Sequence, residues 1–263
     1  MVIRKQIHHI KINKNMKGGN NLYFDKRVIY IILGCLILST VIGYLSDPNK
    51  LLGLIISIPA VLIAITFHEF AHAFAADKLG DDTPRRQGRL SLNPLHHLDP
   101  VGSLLLLFAG FGWGKPVEIN PRNFNRNISM EKADAIVSIA GPLMNLFLAI
   151  VFTLIYCAIV KFAPNVLIGN TGGAIQLLLM SIVSINIGLG VFNLIPLPPL
   201  DGSKVIMPFL PAKAKSFFIE REQIFYIVFV ILWITGLAGY IISPAITFIY
   251  KWIINLGLAI FGL

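Results

Sequence analysis

LLGLIISIPAVLIAITFHEFAHAFAA, residues 51–76, is an apolar run long enough to cross a membrane as a single helix, and it carries ionisable side chains near its end. A helix needs about 20 apolar residues to cross a hydrocarbon core about 30 Å thick. His68, Glu69 and His72 all lie in this run, and Glu69 is its only acidic residue. Burying three ionisable groups in a bilayer is costly unless a metal or a partner compensates them, which favours a functional site over chance polar residues in a packed helix.

The spacing of His68 and His72 is that of an HExxH metal motif. Residues four apart lie on one face of a helix, so both imidazoles can reach one Zn²⁺ at about 2.0–2.1 Å. Glu69 then lies beside the open position of the metal, where a general base is needed. The motif predicts the geometry of a metallohydrolase.

A catalytic zinc site takes three protein ligands and leaves one position open. A further histidine six residues after His72 would complete one common ligand set, but Lys78 stands there. The downstream groups that could serve instead are Asp201, Asp99, His96 and His97. Asp201 is favoured because it follows NLIPLPPL, a run whose prolines stop a helix, and precedes Gly202, which permits a turn back toward the motif. The adjacent loop histidines rank second, because such residues more often shape a turn.

The rest of the chain is as apolar as a membrane helix requires. Of its 263 residues, 56% are hydrophobic and 13% are charged, and the mean hydropathy is +0.75. This composition predicts an all-α polytopic membrane protein with about six transmembrane helices. The predicted spans are 28–45, 51–76, 133–160, 174–195, 223–242 and 244–263.

Residues 101–112 form a shorter apolar stretch between the second and third spans. This stretch is too brief to cross a membrane, so we expect a re-entrant or membrane-associated segment that is irregular or β in structure. Residues 1–27 form a basic N-terminal tail, and the membrane domain is predicted over 28–263, with its core motifs at 51–205.

Lysine and arginine give the chain a net charge of +9, and their distribution predicts topology rather than nucleic-acid binding. Segments 1–27, 77–132 and 200–222 hold seven, eight and four of them, whereas the opposite loops hold only Lys50 and Lys161. Because cytoplasmic loops retain basic residues, both termini are predicted to be cytoplasmic in a multi-pass protein of the cell membrane. The predicted site then lies toward the cytoplasmic leaflet.

Several further motifs accompany HEFAH at 68–72. They are SLNP at 91–94, His97 with Asp99-Pro100 and Gly102, GWGKPV at 112–117, AGP at 140–142 with Asn145, and NLIPLPPLDG at 193–202. Together these motifs resemble those of the site-2 protease family of intramembrane zinc metalloproteases, in its minimal prokaryotic form without PDZ or CBS domains. The resemblance covers about residues 51–205.

The resemblance implies a set of roles. His68, His72 and Asp201 would bind one zinc ion per chain, Glu69 would be the general base, and Asn193 would hold the substrate carbonyl or its oxyanion. Asn145 is a second polar candidate on the substrate side, with a hydrogen bond in helix packing as the alternative. The implied substrates are single-span membrane proteins cut in or near their transmembrane segment within the lipid bilayer. A regulatory membrane partner or an oligomer is a further expectation.

Two rival interpretations use the same polar residues. A metal transporter would need ligands along a path through the membrane, whereas the candidates here converge on one leaflet and include the base position of HExxH. Another membrane HExxH enzyme, such as a prenyl-protein protease, would take a downstream glutamate as the third ligand. The glutamates that follow the motif fall in loops or at helix starts and are Glu118, Glu131, Glu220 and Glu222.

Overall fold

The computed structural model describes residues 34–35, 38–39, 42–44, 46–109 and 113–263. The predicted tail at 1–27 and most of the predicted span at 28–45 lie outside these residues. From residue 46 onward, the described chain forms nine α-helices. They are α1 Pro48–Lys78, α2 Thr83–Arg86, α3 Pro100–Ala109, α4 Met130–Phe162, α5 Gly169–Asn193, α6 Asp201–Ile206, α7 Ala212–Glu220, α8 Glu222–Ile234 and α9 Leu237–Phe261.

Four helices of the described chain are long and apolar enough to cross a membrane. They contain the stretches Lys50–Lys78, Met130–Phe162, Gly169–Asn193 and Leu237–Phe261. Helix α8 is also apolar, but its 13 residues are too few for a complete crossing. These elements confirm the all-α polytopic membrane fold, and the predicted spans at 51–76, 133–160 and 174–195 each correspond to one long helix.

The predicted boundary between the last two spans is wrong. The spans were predicted to end at residue 242 and to begin at residue 244, but both positions lie inside α9, and the chain turns at Gly236 instead. Gly236 has a φ of 74°, a left-handed conformation that glycine adopts without strain. The Thr235 hydroxyl donates to the Ile231 carbonyl at 2.8 Å and helps to end α8. Neighbouring groups can compensate for a proline in a membrane helix, so Pro244 need not break one.

The short apolar stretch at 101–112 is largely helical, because α3 occupies most of it. Gly102 N–H donates to the Asp99 carboxylate at 2.8 Å, which satisfies a free amide at the start of this helix. Within the described residues, β pairing is limited to a single bridge between Leu98 and Gly114. Residues 101–109 are therefore helical rather than β, and the helix that contains them, Pro100–Ala109, has only 10 residues and is too short to cross a membrane.

Helices α1, α4 and α5 pack against one another and carry the polar residues of the interior. Small residues such as Ala60 and Ala64 on α1 are fully buried, so the backbones approach closely. The main apolar cluster joins α4, α5 and α9 through residues that include Ala149, Ile187 and Ile253. The short helix α6 packs against α4, which brings the segment after α5 back to the centre of the bundle.

Candidate metal centre

The two histidines of the HExxH motif meet Asp201 in the interior of the bundle. The Nε2 atoms of His68 and His72 each lie 3.2 Å from Asp201 Oδ2, and they lie 3.0 Å from one another. The three candidate ligand atoms are all within 4.8 Å of each other. The structure thus brings together the three residues predicted as ligands, although Asp201 follows His72 by 129 positions in the chain.

Asp201 reaches the histidines because the chain reverses tightly after α5. A methyl group at Gly202 would lie 2.3 Å from the Leu194 carbonyl oxygen and 2.5 Å from that of Ile195. Only glycine therefore fits where α6 begins against the end of α5. The Ser203 hydroxyl donates to the Leu200 carbonyl at 2.7 Å, which supports the first turn of α6 directly after Asp201.

The outer ring nitrogen of His68 is hydrogen-bonded to an asparagine of α4. His68 Nδ1 lies 2.6 Å from Asn145 Oδ1. Asn145 uses its own amide protons elsewhere, since Nδ2 donates to the Ala64 carbonyl at 3.0 Å and to Asn186 Oδ1 at 2.8 Å. Asn145 therefore accepts from His68, which places the proton on Nδ1 and leaves the Nε2 lone pair free for a metal.

His72 has the same arrangement with a backbone partner. Its Nδ1 donates to the Val137 carbonyl at 2.7 Å, so its Nε2 lone pair is also free to face the cluster. Helix α4 passes very close at this point. A methyl group at Gly141 would lie 2.4 Å from His72 Nε2 and 2.7 Å from His68 Cε1. The glycine of the AGP motif therefore leaves the space that a metal and both rings require.

Glu69 is covered by the segment that follows α3. Its side chain belongs to a residue only 8% exposed, and a methyl group at Gly114 would lie 2.8 Å from Glu69 Oε1. Lys115 N–H donates to the His97 carbonyl at 2.7 Å, which holds this segment in place. The backbone at Gly114 thus forms one wall beside the candidate base.

Arg89 secures the same wall from the other side. It is 4% exposed, and its guanidinium donates to the carbonyls of His96 and, at 2.9 Å, Pro116. Burial lowers the pKa of Arg89, and the negative charges of Glu69 and Glu118 oppose that shift. Arg89 therefore connects the loop segments that contain His96 and Pro116. Its positive charge interacts with the negative charge of Glu69.

The donor set fits a catalytic zinc ion. Two imidazole nitrogens and one carboxylate oxygen are typical of such sites, which keep a further position open for water or substrate. Both ring nitrogens that do not face the cluster have hydrogen-bond acceptors. Both imidazoles are buried and Asp201 is partly buried, so three bare polar groups would be unfavourable here. A divalent cation would compensate the carboxylate and use both lone pairs.

The other predicted ligand candidates lie outside this cluster. His96 Nδ1 is 3.0 Å from the Gly88 carbonyl, and the buried His97 donates from Nε2 to the Ser91 carbonyl at 2.6 Å. Burial lowers the pKa of His97, which keeps its ring neutral. Asp99 caps α3 through Gly102. All three residues shape the turns at 88–102, as expected for the second-ranked candidates.

The two asparagines predicted on the substrate side differ in position. Asn193 is partly buried at the end of α5 and donates one amide proton to the Leu189 carbonyl at 3.0 Å. Asn145 is fully buried, and its amide already has two acceptors. No amide proton of Asn145 remains for a substrate oxyanion, so its position corrects that part of the prediction and supports the hydrogen-bonding alternative.

Three contributors to the site were not predicted from the sequence, namely Asn186, Arg89 and the Val137 carbonyl. Asn186 did carry a signal, because an amide in the middle of an apolar span is costly unless it has a partner. Arg89 was counted only among the basic loop residues, and nothing in its local sequence indicated that it is buried. The role of Val137 belongs to its backbone and leaves no trace in side-chain patterns.

Comparison with known proteins connects this site to one family. The sequence profile of Peptidase family M50 matches residues 159–235, which include Asn193 and Asp201. YwhC of Bacillus subtilis, named as a zinc metalloprotease, is 40% identical over 184 residues, which cover 70% of this chain and 82% of the relative.

Two mycobacterial relatives extend the comparison. Rip2 of Mycolicibacterium smegmatis, also named as a zinc metalloprotease, is 31% identical over 69% of this chain and 67% of its own length. Rip2 of Mycobacterium tuberculosis H37Rv is 30% identical over 77% of this chain and 78% of its own length. No solved structure matches the chain significantly.

Proposed function

Because this chain belongs to peptidase family M50, we propose that it hydrolyses peptide bonds of membrane proteins at a zinc ion held by His68, His72 and Asp201. The family is one of intramembrane zinc metalloproteases of the site-2 type, and the chain is a multi-pass membrane member of it. The ligand assignment rests on one observation. The Nε2 atoms of His68 and His72 each lie 3.2 Å from Asp201 Oδ2.

Glu69 is the proposed general base. Zinc, when bound by such a ligand set, acts as a Lewis acid and lowers the pKa of water. Glu69 accepts the proton of the attacking water and then delivers it to the leaving amine. The wall at Gly114 restricts bulk water around the carboxylate, while Asn145 and Val137 hold the two imidazoles in one tautomer.

Asn193 is the proposed contact for the substrate carbonyl. Its amide donates one proton to the Leu189 carbonyl, and an amide nitrogen carries a second proton that a developing oxyanion can accept. The residue lies eight positions before Asp201, at the end of the helix whose continuation supplies the third ligand. This role is proposed for Asn193 alone, since both acceptors of the Asn145 amide are protein groups.

We infer that the substrates are single-span membrane proteins. The peptide carbonyls of an intact helix are hydrogen-bonded and shielded, so a substrate must unwind locally before it is cut. A cavity of about 480 Å³ lies between α1, α3, α5 and the α8–α9 pair, with Val61, Leu106, Phe192 and Trp233 among its lining residues. Phe192 precedes Asn193 directly, so this apolar space is suited to a substrate segment that enters from the bilayer.

The active site and the N-terminal tail are proposed to lie toward the cytoplasm. The C-terminus lies on the same side when α8, despite its 13 residues, completes a crossing before α9 returns. The segments at 77–132 and 200–222 adjoin the proposed metal ligands. They hold eight and four lysines and arginines, twelve in total. Basic residues are retained on the cytoplasmic side of a membrane. From His68 to Lys78 a helix rises roughly 15 Å at 1.5 Å per residue, so the metal would lie below the surface but within reach of water.

The proposal is tested with Glu69→Gln in detergent-solubilised, purified protein. We expect the variant to keep the zinc content of the wild type and to lose cleavage of reconstituted single-span peptides, because Glu69 supplies a proton acceptor and not a ligand. Glu220→Gln, at an exposed residue of α7, is the matched control and should cleave normally. Unchanged cleavage by Glu69→Gln would remove the catalytic assignment, and zinc flux into liposomes would favour a transporter instead.

A further inference from the structure

Two buried asparagines connect helix α5 to the metal site. Asn145 and Asn186 are both fully buried within membrane-spanning helices. An amide in such a place is unfavourable unless it is hydrogen-bonded. Their bonds form one chain, from Ile182 through Asn186 and Asn145 to His68. The role of this series of hydrogen bonds follows from the direction in which each proton is donated.

Asn186 sets that direction. Its Nδ2 donates to the Ile182 carbonyl at 2.9 Å, which turns its Oδ1 toward Asn145. Asn145 must then present its NH₂ group to Asn186 Oδ1 and to the Ala64 carbonyl. If the Asn145 amide were reversed, its oxygen would face two acceptors and its NH₂ would face the ring of His68. The acceptor on Asn186 therefore opposes the reversed orientation.

The orientation of Asn145 determines the tautomer of His68. With Oδ1 facing Nδ1 at 2.6 Å, the ring keeps its proton on Nδ1 and its Nε2 lone pair toward Asp201. With the amide reversed, Nδ1 would become the acceptor and Nε2 would carry the proton, which blocks metal binding at that nitrogen. The orientation of the Asn145 amide thus determines whether His68 can bind the metal through Nε2.

We propose that Asn186 is a positioning residue of the metal site, which fixes the metal-binding tautomer of His68 through Asn145. This inference rests on the proposed zinc function and assigns a role to a residue whose hydrogen bonds are to Asn145 and Ile182 rather than to the proposed ligands. The partner of His72 is a backbone carbonyl, so a side-chain substitution cannot remove it. The His68 side of the site depends on side chains and is the one that mutation can change.

Helix α5 influences two of the proposed ligands, His68 and Asp201. Helix α5 carries Asn186 in its interior and continues from Asn193 into the turn that delivers Asp201. A displacement of α5 would therefore change the support of His68 and the position of the third ligand together. Helix α5 packs against α1 and α4, and this packing holds Asn186 and the turn before Asp201 in position together.

The test measures the zinc dissociation constant of the full purified chain by competition with a chelator. Asn186→Leu retains the approximate size of the side chain but leaves Asn145 with one unpaired proton. Loss of a direct partner of a ligand weakens metal binding about 10- to 100-fold, and we expect the lower end of that range, about 10-fold, for Asn186. Asn186→Asp should bind zinc nearly as tightly as the wild type. Its protonated carboxyl can donate to Ile182 and still accept from Asn145.

Thr153→Val is the matched control, because Thr153 is equally buried in α4 and its hydroxyl has no hydrogen-bond partner in the described part of the chain. Its zinc affinity should equal that of the wild type. The thermal midpoint of each metal-free protein is measured alongside. A purely structural role for Asn186 would lower that midpoint and leave the zinc dissociation constant unchanged, which would overturn the inference.

The outcomes separate this inference from the proposed function. If the wild type binds zinc and His68→Ala does not, the site stands, and equal affinity in Asn186→Leu then refutes only the role of Asn186. If His68→Ala binds zinc like the wild type, the site itself is refuted. Should Asn186→Leu fail to yield folded protein, Asn186→Ala is measured in its place with the same expected loss.

Discussion

The helices that hold the metal site and the C-terminal helix differ sharply in what surrounds them. In an apolar 18-residue stretch of each, 33% of residues are buried in α1, 28% in α4 and 44% in α5, but only 11% in α9. The buried polar residues follow the same division, since Asn145 and Asn186 lie on α4 and α5, whereas the buried residues of α9 are Ala238, Ile242, Ile253 and Gly257.

This difference shows which contacts the chemistry requires. Helices α1, α4 and α5 are joined by hydrogen bonds whose direction matters, so a small displacement there changes a ligand. Helix α9 contributes apolar packing to α4 and α5, and its outer surface carries large exposed residues such as Tyr240, Phe248 and Trp252. Packing of this kind is non-directional and tolerates adjustment. Substitutions of similar size should therefore have unequal effects in the two regions.

The largest expected effect is that of Gly141→Ala. The added methyl group would lie 2.4 Å from His72 Nε2, in the space between α4 and the imidazole pair. We expect zinc affinity to fall by about 100-fold or more, beyond the usual loss from an altered outer partner, and proteolysis to fall with it. Zinc content and cleavage rate are measured in the same preparation.

Gly257→Ala is the counterpart of this substitution in α9. Its methyl group would lie 2.8 Å from Thr153 Cγ2 and 3.0 Å from Cys157 Sγ, so it would also be overpacked, although less severely than a methyl group at Gly141. We expect a loss of about 1–3 kcal/mol in stability, as overpacking generally costs, with zinc content unchanged. Equal loss of zinc in both variants would abolish the distinction between the two regions.

Arg89→Gln is expected to have the next largest effect. The Arg89 guanidinium donates to the carbonyls of both His96 and Pro116. Without it, the backbone at Gly114 should shift relative to Glu69. Misplacement of a catalytic group by about 1 Å can cost up to about 100-fold in rate, so we expect kcat to fall about 10- to 100-fold while zinc remains bound. Cleavage kinetics and metal content are measured together.

Two controls accompany this variant. Arg89→Lys keeps the charge but not the planar fork and should be almost as impaired. Arg86→Gln removes an arginine whose side chain is 74% exposed and paired with Asp82, and such a surface pair contributes about 0–1 kcal/mol. Loss of zinc in Arg89→Gln would show that the wall supports the metal ligands rather than the base.

The smallest expected effect concerns the loop that carries Arg89. Burial alone would raise the pKa of Asp81, but hydrogen bonds from Thr83, Asn120 and Asn123 hold it below the usual value. A carboxylate with a lowered pKa stabilises the loop above the ordinary Asp pKa of about 3.9, and that contribution is lost as the pH falls toward the folded value. The hydrogen-exchange protection factors of residues 81–109 and 113–123, each taken relative to the intrinsic exchange rate at the same pH, should therefore fall as the pH drops below about 4.

Asp81→Asn makes this prediction specific. The variant replaces an acceptor by an NH₂ group among donors, and an unsatisfied buried polar group costs about 1–3 kcal/mol. Its protection factors should be lower than those of the wild type at neutral pH, and they should lack the decrease that the wild type shows below about pH 4. Asp82→Asn changes an exposed neighbour and should behave like the wild type. An identical pH response in Asp81→Asn would show that another group titrates.

The sequence predicted most of the site because two of its features depend on local geometry. Helical spacing alone places His68 and His72 on one face, and this needs no knowledge of the fold. The run NLIPLPPLDG indicates a turn that is fixed by proline and glycine, and the basic loops indicate that this turn lies on the same side as the motif. Asp201 could therefore be assigned despite its distance along the chain.

The remaining features depend on which helix faces which. An asparagine in an apolar helix can have any neighbour, so Asn145 remained open between two roles and Asn186 was not singled out. The turn at Gly236 was missed because a single glycine in an apolar run does not by itself indicate a turn, since glycine is frequent in membrane helices. The helix at 100–109 was not predicted, since a short apolar run between glycines is equally compatible with irregular or β structure.

The zinc content of Asp201→Asn, determined by elemental analysis beside the wild type after identical purification, tests the central assignment most directly. The account predicts one zinc per chain in the wild type and little in the variant, because the amide removes the anionic ligand that both imidazoles approach at 3.2 Å. Full zinc content in Asp201→Asn would contradict it and would assign the third ligand to another residue.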